Sequence, residues 1–388
     1  MDLENVCVVL PAGGCGVRME METPKQYCKV LNRPLILYTI HSFHRLSWIK
    51  MIVVVVDVSY LEFMQNLLTK YKFTKVKLVT GSPTRHRSIY NGVKALETVC
   101  KPDDVVLIHD AVRMFTDEKT ITQIAMAAKE HKASGVYRPL ISTVIAPDSD
   151  GCLEESLDRH KYRASEMPQG FHYSVISTAY QKATDYDFDY GTECLLLASK
   201  YSGVKARLVE GSSNLWKVTH KKDIYAAEGV LKESDISVFL KCEDVRLRES
   251  LTEQLQKKRL KIHQVQEDQN KDNSIEPSVF IHVIDFYEHL TQHMMTCSDE
   301  FITYCDSSAC CLLDRVLMLV VREISCESFH LTIIRLMQNL KKKHQDKETL
   351  VFCVVYQDES QTEQLTEMVT SVVWNRDPVL SGQVLFVS

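Results

Sequence analysis

A glycine-rich turn flanked by cations stands near the start of the chain. Residues 6–27 read VCVVLPAGGCGVRMEMETPKQY, a hydrophobic run, three glycines and then Arg18 and Lys25. The glycines are Gly13, Gly14 and Gly16. Glycine adopts tight-turn dihedrals at no steric cost and lets backbone N–H groups approach an anion, while the cations add positive charge. The segment predicts a site for nucleotide phosphates; the simpler alternative is a strand-to-helix turn without a ligand.

Two common glycine-loop classes do not fit these letters. A Walker loop requires Lys followed by Ser or Thr after the last glycine, and no such pair is present. A dinucleotide fingerprint requires a small residue where Met19 stands and an acidic residue about 20 positions later. The turn is therefore predicted to serve a nucleotide site of another kind.

Short β-branched runs alternate with helical patterns in the N-terminal region. The predicted strands are 6–10, 52–56, 76–79 and 105–109, and the predicted helices are 34–46, 59–71, 88–99 and 117–131. Strands separated by crossover helices predict an α/β fold with a doubly wound, mainly parallel, Rossmann-like sheet. Ligands of such sheets bind beyond the carboxyl ends of the strands. The glycine turn, Gly81 and Asp110 each follow a predicted strand directly, so we expect them on one sheet edge.

Glycine usage separates the chain into two regions. Twelve of the 13 glycines lie between Gly13 and Gly229, and eight of the ten prolines precede residue 235. We place the boundary at about Ser234, between a domain over 1–234 and a second, smaller α/β domain over 235–388. The second domain has predicted strands at 236–241, 279–284, 317–321 and 350–355 and helices at 249–261 and 328–341. No glycine directly follows these strands, so we expect a structural or interaction role.

Composition limits the compartment and the partners. The chain has 388 residues, 45% of them hydrophobic and 25% charged, which suffices for two domains with their own cores. A net charge of -5 argues against a general nucleic-acid binder. An acidic start and the lack of a long apolar segment predict neither secretion nor a membrane span. Thirteen cysteines without CxxC spacing favour reduced thiols, so we expect a cytosolic protein.

Several motifs occur in a fixed order along the N-terminal region. They are LPAGGCGVRM from Leu10 with PKQY from Pro24, GSPTRHRS from Gly81 with Gly92, LIHDAVR from Leu107, LDR from Leu157, PQ at Pro168, TE at Thr192 and LWKVT from Leu215. Together they resemble the IspD-type sugar-phosphate cytidylyltransferases, whose bacterial members make the diphosphocytidyl-methylerythritol intermediate of isoprenoid synthesis. The resemblance covers roughly residues 5–232. It implies cytidylyl transfer from CTP to a sugar phosphate.

This reaction requires positive charge and positioning more than a general base. A phosphate monoester is mostly ionised at neutral pH, because its second pKa is near 6. The resemblance implies that Arg18, Lys25 and Lys217 are the catalytic cations. It assigns nucleotide contacts to Leu10, Pro11, Ala12, Gly13, Gly14, Gly16, Gly81, Ser82, Arg85, Ser88, Asp110 and Ala111. Asp110 is also the candidate ligand of a Mg²⁺, or another divalent cation, held mainly by the phosphates; the alternative is an Asp that caps a helix.

The acceptor side departs from the bacterial pattern. The resemblance assigns acceptor binding to Asp110, Arg113, Thr143, Arg159, Thr192 and Lys217. The resemblance also implies that segment 142–163, which contains Thr143 and Arg159, is an arm reaching across a homodimer. Met114, Met167 and Thr192 replace the family's Pro, Thr and Asp, while Ser82 and Pro83 replace Gly and Asp near the base. The acceptor pocket is therefore expected to differ from the bacterial one.

The altered acceptor residues and the extra domain together resemble the vertebrate members of the family. Those members make CDP-ribitol for O-mannosyl glycosylation of dystroglycan, which implies D-ribitol 5-phosphate or a related pentitol or pentose phosphate as acceptor. Three alternatives stay open: 2-C-methyl-D-erythritol 4-phosphate as acceptor, a C-terminal half that reduces ribulose 5-phosphate with a nicotinamide cofactor, and a non-catalytic nucleotide-binding scaffold.

Overall fold

The chain divides into two compact units, Met1–Ile224 and Tyr225–Ser388. The computed structural model describes residues 3–14, 23–264, 278–284, 294–295, 298–299, 315–323, 329–344 and 349–387. Gly16 and Arg18, both predicted site residues, lie outside these ranges. The boundary between the units falls inside a helix at Lys221–Asp235, whereas glycine usage places it near the end of that helix at Ser234.

A mainly parallel sheet forms the centre of the first unit. The strands of this unit are β1 (Val6–Pro11), β2 (Lys29–Val30), β3 (Arg33–Pro34), β4 (Ile49–Val56), β5 (Val76–Thr80), β6 (Val105–Ile108), β7 (Ala133–Pro139), β8 (Ile145–Pro147), β9 (Leu153–Ser156), β10 (Arg163–His172) and β11 (Arg207–Glu210). Seven of the described strands join in the order β11-β7-β10-β6-β1-β4-β5. Strand β10 runs antiparallel to β6 and β7, and the other pairings of this sheet are parallel. The predicted α/β class is confirmed.

Helices connect these strands close to where the sequence predicts them. They are α1 (Leu35–His44), α2 (Leu61–Lys70), α3 (Arg85–Lys94), α4 (Glu118–His131), α5 (Tyr173–Lys182), α6 (Asp185–Tyr190), α7 (Cys194–Ser202) and α8 (Lys221–Asp235). Helix α3 begins at Arg85 rather than at the predicted residue 88, because the Thr84 side chain accepts a hydrogen bond from the Arg87 N–H at 3.4 Å. A threonine in this position satisfies one of the free N–H groups of the first turn. The cap starts α3 directly after the second predicted nucleotide loop.

The sheet core is buried on both faces. Residues Val8, Val9, Val53 and Val54 in the adjacent strands β1 and β4 have no exposed surface. Successive strand side chains point to opposite faces, so both faces are covered. Loops that leave the carboxyl ends of these strands therefore start from a rigid base.

The close approach of α3 to the sheet depends on Gly92. A Cβ atom there would lie 2.5 Å from Val9 Cγ1 and 3.0 Å from Val55 Cγ2. We expect Gly92→Ala to lower the free energy of unfolding by about 1–3 kcal/mol, because overpacking outweighs the gain in helix propensity. Urea-induced unfolding measures this change. Gly229→Ala on α8 is the control: nothing lies within 4 Å of its Cβ position, so we expect a gain of about 0.5–1 kcal/mol. A Gly92→Ala protein as stable as wild type would contradict the prediction.

The second unit is also an α/β structure. Its described strands are β12 (Ser237–Lys241), β13 (Lys261–Gln264), β14 (Val279–Ile284), β15 (Arg315–Arg322), β16 (Thr349–Tyr356) and β17 (Val384–Phe386), and its helices include α9 (Val245–Lys257), α10 (Phe329–His344) and α11 (Thr362–Asn375). The described strands pair in parallel in the order β13-β12-β14-β15-β16-β17. Helix α9 begins before the predicted residue 249 because Asp244 caps it by accepting from the Leu247 N–H. Among the described helices, none has the length and apolar content needed to cross a membrane.

Candidate functional site

An open cleft lies beyond the carboxyl ends of β1, β5 and β6. Its lining residues are Pro11, Ala12, Gly13, Gly14, Lys25, Gln26, Ser82, Pro83, Thr84, Arg85, Ser88, Asp110, Ala111, Val112 and Lys217. The glycine turn, the loop after Gly81 and Asp110 thus meet at one edge of the sheet.

Gln26 holds the glycine turn from inside the protein. Its amide Nε2 donates hydrogen bonds to the carbonyl oxygens of Ala12 at 2.6 Å and Gly14 at 3.0 Å, and the residue is only 3% exposed. The Ala12 N–H donates to the Val55 carbonyl at 2.7 Å, which ties the turn to β4. Sequence reasoning did not assign Gln26 a role, although its position directly after Lys25 in the PKQY motif was the available signal.

We expect Gln26→Leu to weaken CTP binding about tenfold. The substitution removes two hydrogen bonds to the loop, each worth roughly 0.5–1.5 kcal/mol, and leaves two carbonyl groups without this partner. Isothermal titration with CTP, the nucleotide that the sequence resemblance implies, measures the effect. Gln65→Leu on the exposed face of α2 is the matched control and should bind CTP like wild type. Equal CTP affinity in both variants would show that the hydrogen bonds from Gln26 do not order the loop.

The second loop is fixed by Ser88 at the start of α3. Its hydroxyl donates to the Ser82 carbonyl at 3.0 Å and accepts from the Ser82 N–H at 3.0 Å. Gly81 lies so near that a Cβ atom would stand 3.3 Å from both the Ser88 hydroxyl and the Val56 carbonyl oxygen. The second predicted nucleotide loop therefore has a well-defined position on the wall of the cleft.

Asp110 stands at the centre of a cluster of cations. Its Oδ1 accepts from the Arg85 guanidinium at 3.0 Å, and its Oδ2 accepts from Lys217 Nζ at 3.0 Å and Arg113 Nε at 3.2 Å. The Asp110 side chain is 9% exposed, whereas Arg85 and Lys217 are 29% and 31% exposed toward the cleft they line. Three positive charges are thus concentrated around one buried carboxylate.

The same cations determine the protonation of Asp110. Burial favours the neutral carboxyl, but the positive charges of Arg85, Lys217 and Arg113 outweigh it and hold the pKa of Asp110 well below its usual range. The carboxylate is therefore ionised at neutral pH and keeps the cations in place. The neighbouring His109 is fully buried, and burial lowers its pKa to about 4, so it is neutral at pH 7.

Arg113 joins this cluster to a second carboxylate. Its Nη1 donates to Glu166 Oε2 and, at 2.7 Å, to the carbonyl of Leu215, two residues before Lys217. The Val218 N–H also donates to the Val112 carbonyl at 3.0 Å. These bonds fix the segment that carries Lys217 beside the end of β6.

The predicted site residues divide between the cleft and the surrounding structure. Those that line the cleft are Pro11, Ala12, Gly13, Gly14, Lys25, Ser82, Arg85, Ser88, Asp110, Ala111 and Lys217. Leu10 is fully buried in β1, and Arg113 contacts the cleft residue Asp110. Thr143, Arg159 and Thr192 are exposed and do not line the cleft of this single chain. Thr143 and Arg159 flank the hairpin of β8 and β9, where Arg159 Nη1 donates to the Ile141 carbonyl at 3.0 Å.

The donor set gives little support to a metal held by the protein itself. The described residues contain no group of three His, Cys, Asp or Glu side chains placed to hold a metal ion. Both oxygens of Asp110 already accept hydrogen bonds from cations. In this arrangement Asp110 is committed to the cations, and a divalent cation held mainly by the phosphates stays a prediction.

Comparison with known proteins places this site in a family. A D-ribitol-5-phosphate cytidylyltransferase of Xenopus tropicalis is 56% identical over 239 residues, which are 60% of this chain and 58% of that protein. A protein of the same name from Homo sapiens is 53% identical over 236 residues, 59% of this chain and 52% of that protein. The chain thus spans little more than half the length of these relatives.

Bacterial proteins match the same region. A 2-C-methyl-D-erythritol 4-phosphate cytidylyltransferase of Syntrophus aciditrophicus is 34% identical over 233 residues, 60% of this chain and 97% of that protein. The solved structure of a 4-diphosphocytidyl-2C-methyl-D-erythritol synthase from Anaerococcus prevotii is 25% identical, with a TM-score of 0.52, and the match covers 60% of this chain and 100% of that one. The family model described as 2-C-methyl-D-erythritol 4-phosphate cytidylyltransferase matches residues 6–233, more than half of the chain. Through this region the chain belongs to the IspD family.

Proposed function

We propose that this protein transfers a cytidylyl group from CTP to D-ribitol 5-phosphate and so produces CDP-ribitol and pyrophosphate. The observation that carries the proposal is the cleft in which a glycine turn faces Lys25, Arg85 and Lys217. Such a site suits a reaction between two anionic substrates. The choice of acceptor rests on relatives that are 53–56% identical and are named for this reaction.

The reaction requires little proton transfer from the protein. An oxygen of the acceptor phosphate, largely ionised at neutral pH, attacks the α-phosphorus of CTP. A new P–O bond forms, the bond between the α-phosphorus and the bridging oxygen breaks, and pyrophosphate leaves with both electrons. The neutral, buried His109 has no part in these steps. The task of the chain is to hold the reacting groups in line and to offset the charge that gathers around the phosphorus.

Cations that are already in position offset the charge that gathers around the phosphorus. Lys217 and Arg85 are held by Asp110 before any substrate binds, so their orientation costs no reorganisation when the transition state forms. Lys25 begins the short 3-10 helix Lys25–Tyr27 and lines the same cleft. Arg18, the third cation implied by the family pattern, lies outside the described residues. We assign these cations to the phosphates and the turn at residues 11–14 to the nucleotide.

Several further features belong to the proposal. A divalent cation would enter with CTP and be bound by phosphate oxygens, and no step above depends on Asp110 as its ligand.

The hairpin of β8 and β9 exposes Ile145 and Leu153 by 57% and 66%, which suits an arm that packs on a second copy in a homodimer. We place the protein in the cytosol, where CDP-ribitol would supply O-mannosyl glycan synthesis, and give the second unit a structural or interaction role.

Pyrophosphate release tests the proposed function. The purified protein is incubated with Mg²⁺ and CTP, and pyrophosphate release is compared between reactions with D-ribitol 5-phosphate, with 2-C-methyl-D-erythritol 4-phosphate and with no acceptor. We expect strong release with D-ribitol 5-phosphate alone. A preference for the methylerythritol phosphate would overturn the acceptor assignment. Absence of release with either acceptor would overturn the enzyme assignment and favour a nucleotide-binding scaffold.

A further inference from the structure

Glu166 is a second carboxylate, joined through Arg113 to the cleft residue Asp110, and the proposed chemistry does not use it. It lies on β10, its side chain is 16% exposed, and its Oε2 accepts a hydrogen bond from Arg113 Nη1. Arg113 in turn donates to Asp110 Oδ2 at 3.2 Å. Glu166 is thus connected through one guanidinium to the carboxylate at the centre of the site.

The position of Glu166 follows from an irregularity in β10. The pairing of β10 with β7 shifts register between Glu166 and Gln169. Gln169 lies opposite Ile108, the last residue of β6, and His109 and Asp110 follow directly. Register shifts of this kind re-aim side chains and are frequent beside active sites. This one leaves Glu166 at the edge of the sheet where Asp110 and Lys217 meet.

A negative charge in this position is unfavourable for phosphate binding alone. Both substrates are anions, and like charges placed near each other weaken binding. Holding Arg113 occupies only one oxygen of Glu166, and a site built only for phosphates needs no further negative charge. An ionised carboxylate does have a use beside a polyol, because it only accepts hydrogen bonds and binds hydroxyl groups strongly. Within the described residues, Glu166 Oε1 receives no hydrogen bond, so one oxygen remains for such a contact.

We propose that Glu166 determines acceptor specificity by accepting hydrogen bonds from hydroxyl groups of an acyclic polyol phosphate. One oxygen holds Arg113, and the other contacts the substrate chain. The inference rests on the proposed function and extends it to the substrate class. An acceptor without the matching hydroxyl leaves a part-buried carboxylate unpaired, and sites built to bind a hydroxyl discriminate strongly against such analogues.

The test compares acceptors in Glu166→Leu and Glu166→Gln proteins. Steady-state constants are measured with D-ribitol 5-phosphate, a deoxy analogue lacking one chain hydroxyl, and CTP. For Glu166→Leu we expect the KM of D-ribitol 5-phosphate to rise about 10–100-fold, the KM of CTP to change less than about twofold, and the preference over the deoxy analogue to fall at least tenfold. Glu166→Gln, which keeps one acceptor oxygen, should lie between. Glu97→Gln, an exposed residue after α3, is the control.

Two kinetic results would overturn the inference. Equal losses with both acceptors would mean that Glu166 only positions Arg113, and unchanged constants would give it no role. Calorimetric binding of D-ribitol 5-phosphate in the presence of a non-reacting CTP analogue separates this inference from the proposed function. If the wild-type protein binds the acceptor in this experiment but releases no pyrophosphate with CTP itself, the enzyme assignment fails, and the change in acceptor Kd in Glu166→Leu still decides the role of Glu166. A wild-type protein that binds no polyol phosphate overturns both.

Discussion

Lys217→Met is expected to lower kcat for cytidylyl transfer by about 10²–10³-fold, the usual effect of removing one preorganised charge from a reaction centre. Lys217 lines the cleft, and its Nζ lies 3.0 Å from Asp110 Oδ2. The side chain is 31% exposed, and Asp110 retains Arg85 and Arg113 when the lysine is lost, so folding should change little. Pyrophosphate release at saturating CTP and acceptor measures the loss, and thermal unfolding checks the fold.

Lys221→Met is the matched control for this variant. Lys221 is an exposed lysine at the start of α8, four positions after Lys217, and should retain wild-type turnover. A Lys217→Met protein that keeps more than about a tenth of the wild-type kcat would remove Lys217 from the catalytic assignment. A large loss of thermal stability would instead mean that the lysine acts mainly through its ion pair.

The sequence predicted the part of the site that lies in the loops at the carboxyl ends of the parallel strands. β-branched runs located β1, β4, β5 and β6 to within a few residues. Because parallel strands end at one sheet edge, the order of strands and helices along the chain sufficed to bring the glycine turn and Asp110 together. The motif around Lys217 added a residue from 107 positions further along the chain. Local pattern and topology together were enough for this half of the cleft.

The acceptor half depends on features that periodicity does not contain. Strand β10 lies between β6 and β7, runs antiparallel to both, and shifts register after Glu166. Between Glu166 and Gln169, β10 advances three residues while β7 advances one, and this irregularity, which sets the position of Glu166, has no signature in the sequence pattern. The hydrogen bonds from Gln26 to the carbonyl groups of Ala12 and Gly14 likewise join residues that are 14 and 12 positions apart in the sequence, within one irregular loop. Both were missed for this reason.

Asp110→Asn is expected to lower the free energy of unfolding by about 3 kcal/mol and to reduce turnover at least a hundredfold. The amide keeps the shape of the side chain but removes the charge that Arg85, Arg113 and Lys217 surround. Three cations would then repel one another in a part-buried cluster, and Lys217 would lose the partner that orients it. Urea-induced unfolding at neutral pH and pyrophosphate release measure the two effects.

The pH dependence of this stability difference has a definite sign. The pKa of Asp110 is lower in the folded protein than the value of about 3.9 expected in an unfolded chain. The stabilisation from the carboxylate is therefore fully present above the unfolded pKa and is lost as the pH falls toward the folded one. The difference between wild type and Asp110→Asn should stay constant from neutral pH to about pH 5 and shrink below about pH 4. Asp150→Asn, an exposed residue in the turn between β8 and β9, should match wild type throughout. A difference that persists unchanged at pH 3 would show that the asparagine disturbs packing, and that charge at Asp110 is not what holds the three cations together.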